Sequence, residues 1–166
     1  MIVKSINDVS KEEIDVFSCG NNELDYFLKK YALINDKNGY GKTFLLKDDG
    51  ELVGFFTICS SSIKFEEYPN YENAIIPKYP IPSIRIARLA VKSSKQGKGY
   101  GKELLKQAFL RILNVADTIG VKLIVVDAKK TSTKFYEKYG FIKLKSDSLS
   151  YYLLIDTIKL ALANEK

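Results

Sequence analysis

The sequence contains no histidine among its 166 residues. Without imidazole, the chain has no histidine ligand for zinc, no imidazole general base, and no Ser-His or Cys-His nucleophile. The two cysteines, Cys19 and Cys59, are in neither a paired nor a metal-type spacing. We therefore expect no metal site and no disulfide, and a reducing compartment such as the cytoplasm.

Long apolar runs are also missing. No stretch of about 18 consecutive apolar residues occurs, and residues 1–8 lack the apolar core of a signal peptide, so we expect neither a membrane span nor a secretory leader. The chain is 46% hydrophobic and 28% charged, which is typical of a globular domain that needs no covalent staples. Its net charge of +6 favours polyanionic partners.

Hydrophobic periodicity in the first half of the chain predicts a helix, a hairpin and a long loop. The helix covers 24–32 with Asn21 or Asn22 as its cap, the two strands cover 43–47 and 52–62, and the loop covers 64–82. The turn of the hairpin, Asp48-Asp49-Gly50, has a residue suited to positive φ. The loop holds all four prolines, and loops of this length are uncommon unless they are functional.

In the second half, strands are indicated over 84–91, 121–127, 141–145 and 149–155, and helices over 100–119 and 131–139. Gly120 and Gly140 end the two helices. The apolar face of the longer helix comprises Leu104, Leu105, Ala108, Phe109, Ile112, Val115, Ala116 and Ile119. The alternation predicts one α/β domain over residues 1–166, with a single mixed, partly parallel sheet flanked by helices.

A glycine-rich turn opens the longer helix and is the sharpest feature of the sequence. Three glycines within five positions let the main chain approach a ligand, and the helix that follows directs free N–H groups and a partial positive charge to the same place. We expect an anionic ligand such as pyrophosphate. The spacing fits neither a P-loop nor a dinucleotide fingerprint, which needs glycine where Lys102 stands. The turn reads Gln96-Gly97-Lys98-Gly99-Tyr100-Gly101.

This turn resembles the pyrophosphate loop of the GNAT superfamily of acetyl-CoA-dependent N-acetyltransferases, through Gln96, Gly99 and Gly101. The likeness continues upstream to Arg88-Leu89-Ala90-Val91 and downstream to residues 135–141. It implies the GNAT fold and acetyl-CoA as co-substrate, with no metal. It further implies that the strand backbone at Leu89, Ala90 and Val91 pairs with the pantetheine arm, and that Gln96, Gly97, Lys98, Gly99, Tyr100 and Gly101 hold the pyrophosphate.

A narrower resemblance extends over nearly the whole chain. Phe17-Ser18-Cys19-Gly20, the following Leu24-Asp25-Tyr26-Phe27-Leu28, and Tyr79-Pro80-Ile81-Pro82 are similar to segments of the acetyltransferase toxins of bacterial toxin-antitoxin modules. That family implies acetylation of the α-amino group of aminoacyl-tRNA, which blocks translation. It also implies a ribbon-helix-helix antitoxin as partner, and a homodimer.

Amine chemistry offers an independent consideration. An α-amine with a pKa near 7.7 to 8.0, lowered further by an adjacent ester, is partly neutral at pH 7, whereas a lysine amine near 10.4 needs a strong base. A site without histidine suits the α-amine better, although a carboxylate with a water can also remove the proton. Two other functions stay open on the residues: an N-acetyltransferase for a peptide or small-molecule amine, and a non-catalytic acyl-CoA-binding module.

Tyr136 is the predicted proton donor to the departing thiolate, because a phenol is protonated at pH 7. Spacing alone favours a packing role for the aromatic residues of this helix. The resemblance assigns the donor to Tyr136 and leaves Phe135, Tyr139 and Phe141 as packing residues. Backbone N–H groups near 89–91 are the expected donors to the oxyanion.

Contacts to RNA phosphates are predicted for three cations, Arg88, Lys29 and Lys30, with little sequence readout. Lys95 and Lys98 are candidates for the phosphates of CoA instead. Exposed aromatic rings can stack on unpaired bases. For the tyrosines of the long loop, Tyr68, Tyr71 and Tyr79, packing of the loop is the favoured role.

Overall fold

A computed structural model describes residues 1–69, 78–145 and 149–164. Its strands are β1 Ile2–Ser5, β2 Lys42–Asp48, β3 Glu51–Ile63, β4 Ile81–Val91, β5 Leu123–Asp127, β6 Ile142–Lys143 and β7 Ser150–Leu154. Its helices are α1 Lys11–Asp15, α2 Asn22–Tyr26, α3 Ala32–Lys37, α4 Tyr100–Ala116, α5 Thr133–Lys138 and α6 Ile155–Asn164. A π-helical segment, Phe27–Tyr31, joins α2 to α3.

The strands form one mixed sheet in the order β1-β2-β3-β4-β5-β7-β6. β4 and β5 are parallel, while β1 with β2, β2 with β3, β5 with β7, and β6 with β7 are antiparallel. The predicted α/β fold with a mixed, partly parallel sheet is confirmed. The parallel register runs from Ser83, opposite Leu123, to Ile86, opposite Val126. Beyond Ile86, β4 continues to Val91.

The predicted hairpin is confirmed, because β2 and β3 pair on either side of Asp49-Gly50. Asp49 has φ 47° and Gly50 has φ 81°, and positive φ at both central residues is what a tight type I′ turn requires. β4, however, begins at Ile81, so the assignment of Ile81 and Pro82 to the loop is wrong. Pro82 lacks an N–H but still accepts a hydrogen bond from the Lys122 N–H at 2.9 Å.

Contacts group the chain into two compact units: Met1–Cys59 with Ala87–Leu110, and Ser60–Ile86 with Arg111–Lys166. The core of the first unit includes Phe17, Phe27 and Phe55, whose rings are in contact. The core of the second unit includes Tyr68 and Tyr152. The prediction of a single domain over 1–166 stays a prediction.

Helix α4 ends at Ala116, three residues before the predicted end at Ile119. After Ala116 the chain turns, and the N–H groups of Thr118 and Ile119 both donate to the carbonyl oxygen of Val115. Val115 is 36% exposed and Ile119 is 57% exposed, so the extension of the apolar face to these two residues is wrong. Leu104, Leu105, Ala108 and Ile112 are buried as predicted.

Three elements are absent from the sequence prediction: β1, α1 and α6. β1 and α1 have four and five residues, which is too short for a clear period. At α6, the predicted strand over 149–155 ends early, because Ile155 begins a helix instead of closing the strand. Ile155 and Ile158 are the buried residues of that helix within its described part.

The predicted helix over 24–32 is part of a longer helical stretch that is anchored at both ends. Asn21 caps it, with its side chain accepting from the Leu24 N–H at 3.1 Å. Near the start, Asp25 accepts from the Cys19 N–H and the Ser18 hydroxyl, both at 2.8 Å. At the far end, the buried Asp36 accepts from the Thr43 N–H, from the Asn7 amide and from the Lys42 ammonium, each at 3.0 Å.

Gly54 on β3 is expected to tolerate no side chain. A Cβ at this position would lie 2.8 Å from both the Ala90 carbonyl oxygen and a Leu104 methyl group. We expect Gly54→Ala to lower the free energy of unfolding by about 1–3 kcal/mol through overpacking, measured by urea denaturation. Gly120→Ala is the control, since a Cβ there meets nothing within 4 Å. Equal stability of the two variants would contradict the close approach.

Candidate functional site

The predicted ligand-binding turn leads directly into α4 and has left-handed backbone at two glycines. Gly97 has φ 74° and Gly99 has φ 89°, and a Cβ at either position would meet nothing within 4 Å. In the described residues, the N–H groups of Gly97, Lys98 and Gly99 donate no main-chain hydrogen bond. The first N–H groups of α4 likewise have no intrahelical partner. The turn therefore offers a group of free donors and open space around them, which suits a pyrophosphate.

Gln96 fixes the start of this turn. Its side-chain Nε2 donates to the carbonyl oxygens of Cys19 at 2.9 Å and Val91 at 3.1 Å. The Ser93 N–H donates to the carbonyl oxygen of Ser18 at 2.9 Å. The Ser18-Cys19 loop, which Asp25 holds from its other side, thus supports the turn. Sequence reasoning did not assign this supporting role.

Two carboxylates at the β2–β3 turn hold cations and a phenol next to the glycine turn. Glu51 accepts from Lys92 and from Lys95, each at 2.7 Å. These hydrogen bonds lower the pKa of Glu51 to about 2. The Tyr100 hydroxyl donates to Asp48 at 2.6 Å, which raises the pKa of Tyr100. Lys95 and Tyr100 therefore have side-chain partners within the protein, whereas Lys98 is exposed.

Leu89, Ala90 and Val91 lie on β4 after its parallel register with β5 has ended at Ile86. Their backbone is extended, so N–H and C=O groups point alternately to the two edges of the strand. In the described chain, the edge that faced β5 has no register partner beyond Ile86. Free strand edges pair with other extended amide-bearing groups, which fits the predicted contact with a pantetheine arm.

Arg88, one of the three predicted RNA contacts, has a fixed side chain. Its guanidinium carbon lies 4.8 Å from the centre of the Phe27 ring, and Nη1 donates to the Ala87 carbonyl oxygen at 2.8 Å. Phe27 in turn stacks on Phe55, with ring centres 6.4 Å apart, and Phe55 contacts Phe17 at 5.7 Å. The buried aromatic column thus holds an exposed cation at its end through a cation–π contact.

The other two predicted RNA contacts, Lys29 and Lys30, belong to the π-helical segment that begins at Phe27. Lys30 is exposed and Lys29 is partly buried. Through Phe27, the structure brings this segment together with Arg88. No pattern in the sequence predicts the π-helical geometry or the contact of Phe27 with the Arg88 guanidinium.

Tyr136, the predicted proton donor, lies on α5 in the second unit and is buried, with 8% of its surface exposed. Its ring contacts Phe135 at 5.2 Å and Phe141 at 5.4 Å between ring centres. Burial raises the pKa of Tyr136 to about 12, so the phenol keeps its proton throughout the physiological range. Phe141 is buried, in agreement with its predicted packing role.

The loop tyrosines differ from one another. Tyr68 is buried and contacts Tyr152 edge to face, with ring centres 5.4 Å apart, so its packing role is confirmed. Tyr79 is 72% exposed, so its assignment to packing is wrong. Tyr71 lies in the part of the predicted loop, residues 70–77, that is outside the described residues.

Further features of the described ranges concern metal ligands, membrane insertion and thiol reactivity. These ranges contain no group of three or more Cys, Asp or Glu residues that could hold a metal ion, and no helix long and apolar enough to cross a membrane. Cys19 is a buried free thiol, and burial raises its pKa to about 11. A thiol with such a pKa is not an activated nucleophile.

Comparison with known proteins identifies the class that this fold and turn define. The model of the acetyltransferase (GNAT) domain family matches residues 39–143, which is more than half of the chain. The chain belongs to the GNAT acetyltransferase family. Acetyl-CoA is the acetyl donor in this family, and the predicted fold family and acyltransferase class are confirmed.

Two curated relatives are toxins. The tRNA-acetylating toxin of Mycobacterium tuberculosis is 34% identical over 145 residues, which cover 87% of each chain. The probable toxin TacT of Sinorhizobium fredii is 31% identical over 163 residues, covering 92% of this chain and 90% of the relative. The predicted likeness to acetyltransferase toxins is therefore confirmed.

Solved structures of toxins share the fold. AtaT in complex with acetyl-methionyl-tRNAfMet superposes with a TM-score of 0.87 at 23% identity, covering 97% of this chain and 98% of AtaT. A mutant AtaT bound to acetyl-CoA and the C-terminus of the antitoxin AtaR gives a TM-score of 0.78 at 21% identity, with 97% of each chain covered. At these identities the similarity shows the fold alone.

Gly99 is expected to contribute to the binding of CoA through the left-handed backbone of the turn. An alanine at φ 89° strains the backbone and moves the N–H groups of the turn. We expect Gly99→Ala to weaken CoA binding roughly ten- to hundredfold, the loss of one hydrogen bond to a charged group, measured by calorimetry. Gly39→Ala is the control, because Gly39 has φ 78° and similarly open surroundings outside the turn. If both variants bind CoA equally well, the turn does not hold it.

Proposed function

We propose that this GNAT acetyltransferase acetylates the α-amino group of aminoacyl-tRNA and thereby blocks translation as a toxin. The observation that carries the proposal is the left-handed glycine turn at the start of α4, in a chain 34% identical to a tRNA-acetylating toxin over 87% of its length. The net charge of +6 suits a polyanionic substrate.

The geometry of the turn and of β4 supports the proposed cofactor-binding residues. Gln96 and its partners hold the turn in place, and the N–H groups of residues 97–101 bind the pyrophosphate of the co-substrate. The edge of β4 at Leu89, Ala90 and Val91 binds the pantetheine arm through main-chain hydrogen bonds. Acetyl-CoA supplies an acetyl group activated as a thioester.

In the transfer step, the neutral amine attacks the acetyl carbon, a C–N bond forms, and the C–S bond breaks. Main-chain N–H groups near 89–91 stabilise the negative charge that develops on the acetyl oxygen. Tyr136 donates its phenolic proton to the departing sulfur. The raised pKa of Tyr136 keeps that proton in place before the reaction. The α-amine is already partly neutral before attack because its pKa is low. After attack the nitrogen releases its excess proton to water, and water returns a proton to the Tyr136 phenolate, whose raised pKa favours that return.

Arg88, Lys29 and Lys30 are the proposed contacts to RNA phosphates. Arg88 is exposed while its guanidinium is fixed on Phe27, and Lys30 is exposed on the segment that begins at Phe27. Such contacts neutralise phosphate charge without reading the base sequence. Binding of tRNA is therefore expected to weaken steeply with salt.

The proposed function also implies a cellular compartment, a protein partner and an oligomeric state. A protein that acts on charged tRNA meets its substrate in the cytoplasm. An antitoxin is the proposed partner, supported by the AtaT structure with the C-terminus of AtaR. The ribbon-helix-helix type of that antitoxin is proposed from the resemblance to the toxins. We also propose that the protein forms a homodimer and that residues 1–166 form a single functional domain.

Transfer to tRNA can be tested directly. The purified protein is incubated with radiolabelled acetyl-CoA and a mixture of charged and uncharged tRNA. We expect label on charged tRNA alone, and its loss from the RNA when the aminoacyl ester is hydrolysed. Faster labelling of free peptides or polyamines would select a different amine as substrate. Binding of CoA without transfer to any amine would select a non-catalytic acyl-CoA-binding module.

Tyr136→Phe is expected to lower kcat by about 10²–10⁴, the usual contribution of a general acid, and to leave the Kd for acetyl-CoA unchanged. Tyr139→Phe is the matched control, because it removes the same hydroxyl group from the residue that follows the helix as its C-cap. The measurement is the initial rate of acetyl transfer at saturating co-substrate. Unchanged kcat in Tyr136→Phe would show that the proton comes from elsewhere.

A further inference from the structure

The π-helical segment places two exposed tyrosines side by side. In an α-helix, neighbours on one face are three or four residues apart, and a π-helix is wound more widely, with hydrogen bonds from i to i+5. Tyr26 and Tyr31 are five residues apart, yet their ring centres are 5.5 Å apart and their planes form an angle of 75°. They are 55% and 48% exposed, respectively.

Three cations lie on, or are held against, the helical segment next to this aromatic pair. Lys29 and Lys30 lie between the two tyrosines in the chain, and Arg88 is held on Phe27, the first residue of the same segment. Nearby carboxylates offset part of this charge. Asp15 pairs with Lys11 and also lies within electrostatic reach of Lys29 and Lys30. Asp25 accepts hydrogen bonds from Cys19 and Ser18 and lies within electrostatic reach of Lys29, which leaves Lys30 and Arg88 as the cations with the least compensation.

We propose that Tyr26 and Tyr31 form a stacking platform for an unpaired nucleotide of RNA, with Lys30 and Arg88 on its phosphates. Exposed aromatic rings flanked by cations are the combination that binds single-stranded nucleic acid without sequence preference. The positive charges of Lys30 and Arg88 favour RNA over a protein partner, although Leu33 and Ile34 on the following turn are also exposed. That the RNA is charged tRNA rests on the proposed function; the platform itself requires only an unpaired nucleotide.

The test is binding of a fluorescein-labelled single-stranded oligoadenylate by Tyr26→Leu and Tyr31→Leu, compared with the parent protein. We expect each variant to bind roughly five- to 150-fold more weakly, the range for loss of one base–aromatic stack. A blunt RNA duplex with the same number of phosphates is expected to bind equally to all three proteins. Tyr26→Phe, which keeps the ring, is expected to restore binding.

Tyr40→Leu is the matched control, since Tyr40 is 74% exposed in the same unit but outside the π-helical segment. Oligoadenylate binding unchanged in Tyr26→Leu and Tyr31→Leu, or weakened as much in Tyr40→Leu, overturns the platform. So does a change of oligomeric state in sedimentation with RNA binding intact, because the pair would then bind protein. Failure of the proposed function is a separate result: no acetyl transfer to charged tRNA, whatever the oligoadenylate binding.

Discussion

Main-chain hydrogen bonding along β4 is the constraint on which the candidate site depends. The strand runs from Ile81 to Val91, but its parallel register with β5 stops at Ile86. Backbone donors and acceptors require partners, so the remaining edge is suited to a ligand that carries amides of its own. The same strand leads into the glycine turn, where Gln96 bonds back to the Val91 carbonyl oxygen. One strand therefore sets the position of the backbone proposed to bind the arm and of the turn proposed to bind the pyrophosphate.

The aromatic core of the first unit connects the toxin-like segments at residues 17–20 and 24–28 to the exposed cation Arg88. Phe17 and Phe27 belong to two segments that resemble the toxins, and both are buried. Their contacts through Phe55 end at the Arg88 guanidinium. Ser18 and Cys19, which follow Phe17 in the chain, support the residues before the glycine turn through their carbonyl oxygens. The two segments therefore support both the glycine turn, proposed to bind CoA, and Arg88, proposed to bind RNA. The side chains of Phe17 and Phe27 need not touch a ligand themselves.

Features set by local backbone conformation could be predicted from the sequence, whereas contacts between residues far apart in the chain could not. The Asp49-Gly50 turn and the glycines of the ligand turn were predictable because positive φ strongly selects glycine. β1 and α1 are too short to show a hydrophobic periodicity. The start of β4 was missed because Pro82 is typical of a loop. The contacts of Glu51 with Lys92, and of Arg88 with Phe27, join residues far apart in the chain. The family resemblance supplied the proposed site residues, because a few motifs carry such long-range information.

The anchoring of the first helical stretch explains why its π-helical segment persists. A π-helical segment is a helix that holds one residue more than the regular α-helical path needs. Asp25 and Asp36 are tied by hydrogen bonds to fixed parts of the fold, one on each side of the segment. Relaxation to a regular α-helix would rotate one end by about 100°, or one residue, relative to the other, and would break one set of these bonds. The anchored ends therefore keep the extra residue within the π-helical segment. Deleting one residue from Phe27–Tyr31 would change the path of the backbone there, in addition to removing one side chain.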